Sequence, residues 1–251
     1  MKTIDLVNYI NDLLSIYNIK DFAPNGLQVE GSAEVKTIVT GVSASQELLR
    51  KAIEMQADAV LVHHGFFFKG EAPVITGMKR QRIAMLLQNN INLLAYHLPL
   101  DVDQSLGNNV MLAKELDINI DGTFAVSPWD CAGSYGHLTQ EQTLDDFAVY
   151  LEERLQRKPL YIAGHNRPIK TIAWATGAAE DYIIQAGELG VDAFITGEAS
   201  ERTCHYAREL GINFFAAGHH ATERYGVREL GRHLASKFDI KQTFVDIDNP
   251  I

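Results

Sequence analysis

Residues 36–64, KTIVTGVSASQELLRKAIEMQADAVLVHH, and residues 170–198, KTIAWATGAAEDYIIQAGELGVDAFITGE, align without a gap, Lys36 against Lys170 and His64 against Glu198. Each copy reads as an apolar strand, a turn of small residues, a helix, an Ala-Asp or Val-Asp turn and a second buried strand. The next unit repeats too, with Asn90-Ile91-Asn92-Leu93-Leu94 resembling Leu210-Gly211-Ile212-Asn213-Phe214-Phe215. A duplicated unit of this kind predicts an α/β fold of two similar α/β domains. Residues 126–169 differ in character, so the expected first domain is 1–125 with about 210–251, and the second is about 126–209. Within the second, Gly133–Leu138 reads as a short strand. Thr143 caps a helix running through Phe147, Leu151 and Leu155, and Leu160-Tyr161-Ile162 reads as another strand.

The two copies part at their ends, where the first carries His63-His64 and the second Gly197-Glu198. Two imidazoles at the mouth of a buried strand stand where an open α/β sheet places its ligands. Successive strand residues point to opposite faces, so both reach one place only if the chain bends, and Gly65 is expected to allow that bend. Asp101 follows another apolar strand, Leu93–Tyr96, and His219 and Glu223 stand four apart in Gly218-His219-His220-Ala221-Thr222-Glu223. On a helix, that spacing puts an imidazole and a carboxylate on one face.

His63, His64, Asp101, His219 and Glu223 thus form a mixed donor set expected in the cleft between the halves, suited to two close divalent ions with Glu223 bridging them. Valence counting leaves about +2 of local charge. The donor types suit Zn, Fe, Mn or Ni without selecting one. His97 reads either as a sixth ligand or, preferably, as a group orienting a ligand or substrate. Glu198 and His205 read either as further groups at the cleft or as a plain strand-end carboxylate and an exposed helical histidine. His220 is expected to face away, and His137, His165 and His233 look ordinary.

Composition narrows the function classes. A 251-residue chain that is 46% hydrophobic and 22% charged is globular in character, and a net charge of −10 argues against nucleic-acid or anionic-membrane binding. No apolar run reaches the ~18 residues a membrane span needs, and Met1–Leu6 does not read as a signal peptide. Cys131 and Cys204 are too few for a disulfide framework and fit small buried side chains in a reducing cytoplasm. Near the N-terminus a helix is expected over about Ile4–Tyr17, followed by a Pro24-Asn25-Gly26 turn. Asn25 and Gln28 have a second reading as amides presented to the cleft. Phe66-Phe67-Phe68 reads as core or subunit contact before it reads as a stacking surface for a purine ring.

The set Asn25-Gly26-Leu27-Gln28, Val62-His63-His64-Gly65, His97–Asp101 with Gly107-Asn108-Asn109, Thr196-Gly197-Glu198 and Gly218–Glu223 closely resembles the NIF-three-like family, also called YbgI-like or GTP cyclohydrolase I type 2-like. The resemblance spans nearly the whole chain, with no departure at a ligand position. It implies a cytoplasmic protein of two similar α/β domains, a toroidal homohexamer, and metal ligation by His63, His64, Asp101, His219 and Glu223. The leading expectation is a metal-dependent hydrolase that opens a purine nucleotide ring with release of formate, using His97 or Glu198 to move protons. The alternatives are a dinuclear phosphohydrolase or nucleotidase, and a metal-binding assembly or adaptor protein without catalysis.

Overall fold

The computed structural model describes residues 1–126 and 129–251, with side chains for all of these except 129–131. It divides into two compact units, Met1–Leu106 with Gly226–Asp248, and Gly107–Tyr225 with Asn249–Ile251. The sequence boundaries near 126 and 209 differ from these. The earlier break arises because Met111, Leu112, Leu116 and Ile118 are buried in the second unit's core. The expectation for Cys131 lies outside the described side chains, and Cys204 is a free, half-buried thiol.

The first unit runs α1 (Thr3–Leu13), β1 (Gly26–Val29), β2 (Thr37–Ser43), α2 (Gln46–Glu54), β3 (Ala59–His64), α3 (Gly77–Gln88), β4 (Asn92–Ala95) and α4 (Leu98–Val102). The second holds α5 (Asn108–Glu115), β5 (Ile118–Val126), β6 (Trp129–Gln142), α6 (Leu144–Leu155), β7 (Leu160–Ile162), β8 (Ile169–Trp174), α7 (Ile183–Glu188), β9 (Ala193–Thr196), α8 (Glu201–Leu210) and β10 (Asn213–Ala216). Within α9 (His219–Lys237) the chain passes from the second unit's residues to the first's, and β11 (Lys241–Phe244) then joins the first sheet.

Among the described residues the sheet orders are β1-β4-β3-β2-β11 and β5-β6-β8-β9-β10-β7. The repeat is therefore visible as four matched strands. In both units the repeated strands pair in parallel and an antiparallel strand, β1 or β7, closes the side of β4 or β10. The hydrogen bonds between elements repeat too. Asp58 Oδ2 accepts the Lys36 and Thr37 N–H groups at 2.8 and 2.9 Å, and Asp192 Oδ2 accepts those of Lys170 and Thr171 at 3.0 and 2.9 Å. Asn92 Oδ1 takes the Gly31 N–H at 2.8 Å, and Asn213 Oδ1 takes that of Gly164 at 3.0 Å. Each of these side chains, at or just before the start of a strand, accepts main-chain N–H groups of a neighbouring segment.

Apolar strands feed a core on each sheet face. Ile38, Leu61, Leu94 and Tyr96 pack with α1 and α9 residues Leu6, Ile10, Leu230 and Leu234, while Val39, Val60 and Leu93 pack with Leu48, Leu49 and Leu86. Thr143 caps α6, its hydroxyl accepting the Asp146 N–H at 3.2 Å. Three elements depart from expectation. Residues after Pro24 form strand β1, with a register break between Leu27 and Val29. The Gly133–Leu138 strand is part of the longer β6, paired with β5 in a hairpin. Helix α1 stops at Leu13, and a short 3₁₀ turn covers Ile16–Asn18.

Candidate metal centre

Strand β3 delivers His63 and His64 at its C-terminal end, with ring centroids 4.5 Å apart. His63 is fully buried, and its Nδ1 donates to the Tyr96 carbonyl at 2.9 Å, which makes Nε2 the lone-pair nitrogen. That Nε2 lies 3.5 Å from Asp101 Oδ1. The parallel register sets Ser43 beside His64, and Ser43 Oγ lies 3.0 Å from His64 Nδ1. The strand ends at His64 and the chain bends just after Gly65, which does so without a positive φ. Gly65 supplies room, because a Cβ there would collide with Gln28 Oε1 and the Ala95 side chain.

Asp101 does not end a strand. Strand β4 stops at Ala95 and Asp101 sits on the short helix α4, whose start Pro99 favours through its fixed φ. His97 precedes that helix and joins His63 and His64, the three offering ligand atoms within 4.8 Å of one another. Its ring is fixed by Asp21, which accepts Nδ1–H at 2.9 Å and also the N–H groups of Phe22, Ala23 and Leu98. Burial alone pushes the Asp21 carboxyl up. The hydrogen bond and charge of His97, with bonds from Asn25 and Ala23, outweigh burial and hold it below the usual carboxylate range. Asn25 Oδ1 accepts the His97 N–H at 2.7 Å, and Gln28 Oε1 accepts the Phe66 N–H at 2.6 Å. Both amides are thus spent on holding the chain around the histidines.

In the second unit, His219 opens α9 and Glu223 follows one turn later, with Nε2 and Oε2 3.0 Å apart. The other ring nitrogen, Nδ1, donates to Glu198 Oε1 at 2.6 Å. Burial pulls the His219 pKa down, but the two carboxylates outweigh it and push the value up to about 9. A place that favours positive charge this strongly suits a cation. Two glycines let the backbone approach. A Cβ on Gly177, at φ +71°, would strike Glu223 Oε1, and one on Gly197 would stand 2.6 Å from His219 Cα. His205 pairs with Glu201 on the exposed face of α8, and His137 pairs with exposed Asp121. His165 bonds the Asp192 carbonyl, His233 bonds Tyr9, and His220 is buried.

The donor chemistry fits divalent cations: imidazoles with carboxylates, each imidazole oriented by a partner at its Nδ1. The Duf34/NIF3 (NGG1p interacting factor 3) model matches residues 1–250. The chain belongs to the DUF34/NIF3 family. It is 51% identical over 253 residues, all of both chains, to a Vibrio cholerae serotype O1 protein called GTP cyclohydrolase 1 type 2 homolog. A solved structure described as protein ybgI, of unknown function, superposes with a TM-score of 0.97 at 49% identity, covering all of both chains. A solved protein from Thermus thermophilus does so at 0.88 and 34%, again over all of both.

Sequence reasoning missed Asp21, Ser43 and Gly177. Asp21 carries a faint signal, an Asp before a turn containing Pro and Asn. Ser43 and Gly177 are matched positions of the repeat, and pairing their strands in register brings Ser43 to His64.

Proposed function

We propose that this DUF34/NIF3 protein is a dinuclear metal-dependent hydrolase that opens the ring of a purine nucleotide, in which His63, His64, Asp101, His219 and Glu223 would hold the ions. The observation that carries the reading is the shared arrangement of the three imidazoles. Each has its Nδ1 engaged, by Tyr96, Ser43 or Glu198, an arrangement in which Nε2 would be the nitrogen offered to a metal. The cyclohydrolase name of relatives 51% identical supports the purine substrate. The homohexamer and the cytoplasmic setting rest on the family resemblance.

Divalent ions, of Zn, Fe, Mn or Ni, would supply Lewis acidity and lower the pKa of water toward neutrality. The chain's own groups do the rest. His97, with its Nδ1 proton committed to Asp21, has Nε2 for moving a proton at the purine ring. Glu198 orients His219 through one oxygen and, being partly exposed, can pass a proton through the other. Water adds at C8, the bond from C8 to a ring nitrogen breaks, and a second water releases C8 as formate.

The test is parallel detection of formate and phosphate after metal-reconstituted protein meets GTP, with metal content measured in the same samples. Formate that disappears in Glu223→Ala, together with lost metal, is the expected result. Full formate release by a metal-free variant overturns the reading. Phosphate without formate reassigns the site to phosphohydrolysis, and neither product from protein holding two ions per chain assigns it to metal-dependent assembly.

A further inference from the structure

Three consecutive phenylalanines follow the histidine pair, and the backbone gives them different environments. Phe66 is 3% exposed in the core and Phe67 is 38% exposed, with φ at +68°, a left-handed conformation unusual for a bulky residue. Such strain persists only where the surroundings hold it, and it clusters at functional sites. Glu71 accepts the Phe67 N–H at 3.2 Å, and Lys79 Nζ lies 4.8 Å over the ring. The chain then returns Phe68 to the histidines, edge-on to His97 at 5.3 Å and 6.3 Å from His64.

Phe22 arrives at the same place from another loop. Its ring is 44% exposed, meets His97 edge-on at 4.8 Å and lies 6.0 Å from Phe68. The two loops are joined by the Lys69 N–H donating to the Phe22 carbonyl at 2.7 Å, and Asp21 fixes the Phe22 and Ala23 N–H groups. Two aromatic side chains are thus held beside the histidine cluster without being buried in the core.

We infer that Phe22 and Phe68 form the face on which a planar heteroaromatic ring, the base of a nucleotide, stacks beside His97. The inference rests on the proposed function and names how that site takes its substrate. Stacking on an aromatic face suits any base, because every base has a π-face, so discrimination among bases falls to polar groups.

The experiment is equilibrium binding of GTP, guanosine and inorganic tripolyphosphate to metal-loaded full-length protein, comparing wild type with Phe22→Leu, Phe22→Tyr and Phe68→Leu. Phe22 is exposed enough that its replacement leaves the core intact, so it keeps the test valid should Phe68→Leu misfold. Stacking predicts that the leucine variants bind GTP and guanosine about 5- to 150-fold more weakly. Phe22→Tyr stays near wild type, and tripolyphosphate binding is unchanged in all. Equal binding of GTP by wild type and Phe22→Leu overturns the inference and leaves the formate assay to judge the hydrolase. Failure of metal-loaded wild type to bind either base-bearing probe overturns the inference and the purine substrate together, while metal content separately judges the ligand set.

Discussion

Residues 37–64 and 171–198 build the same parallel strand–helix–strand unit, yet the first ends in two imidazoles and the second in Gly197-Glu198. What the copies share lies where strands begin. Asp58 and Asp192 hold the same main-chain donors, and each is followed by an alanine that registers against Asn92 or Asn213 in the neighbouring strand. What they do not share lies at the strand C-termini. There the first copy places Ser43 against His64, and the second places Gly177 beside Glu223 and His219 of α9. A duplicated α/β unit can keep its start-of-strand chemistry for stability and let its strand ends diverge, because ligands gather at the carboxyl ends.

The sharpest way to break that comparison is to make the diverged positions alike. Gly177→Ser strains a left-handed position by about 1–2 kcal/mol and drives its Cβ into the Glu223 carboxylate. Metal analysis should show this variant losing bound metal while circular dichroism still reports a folded chain. Ser43→Gly, the mirror substitution, removes one contact to His64 and should keep its metal. Equal metal content in the two variants would mean that the Gly177 approach is packing alone.

A smaller effect separates the partners that orient the histidines. Glu198 holds His219 through a charged 2.6 Å hydrogen bond, whereas Ser43 touches His64 at 3.0 Å through a neutral hydroxyl. Removing such partners costs about 10- to 100-fold in metal affinity. Competition with a chelator should place Glu198→Gln at the upper end and Ser43→Ala at the lower. The reverse order would shift the orienting role to the first unit.

Much of this was legible in the sequence, for physical reasons that differ by element. The repeated strands and helices are visible because their apolar patterns are local and gapless. The candidate ligands stand out because His, Asp and Glu are unusual next to buried strands. Strand β1 was hidden behind Pro24-Asn25-Gly26, whose turn chemistry is strong and whose strand is short and broken in register. The unit boundary at Leu106 was hidden because α5 joins the second core through long-range packing that leaves no mark on its own residues. Asp21 was missed because five hydrogen-bond donors converge on it in space, from residues 22, 23, 25, 97 and 98.

The smallest expected effect probes what the copies share. Asp192 is pushed up by partial burial, but the Thr171 and Lys170 N–H groups, the Thr171 hydroxyl and the charge of His165 outweigh this and hold it below the usual range. A carboxyl whose folded pKa is depressed contributes stability that is complete above its unfolded pKa of about 3.9 and is lost as pH falls through the folded value. Asp192→Asn keeps an oxygen that can accept the same N–H groups and removes only the charge. Its cost near neutral pH should therefore be about 1 kcal/mol, the scale of one hydrogen bond. Thermal melts should find wild type and variant converging as pH falls below about 4. A gap that stays constant down to about pH 2–3 would show that Asp192 acts through its shape and not its charge.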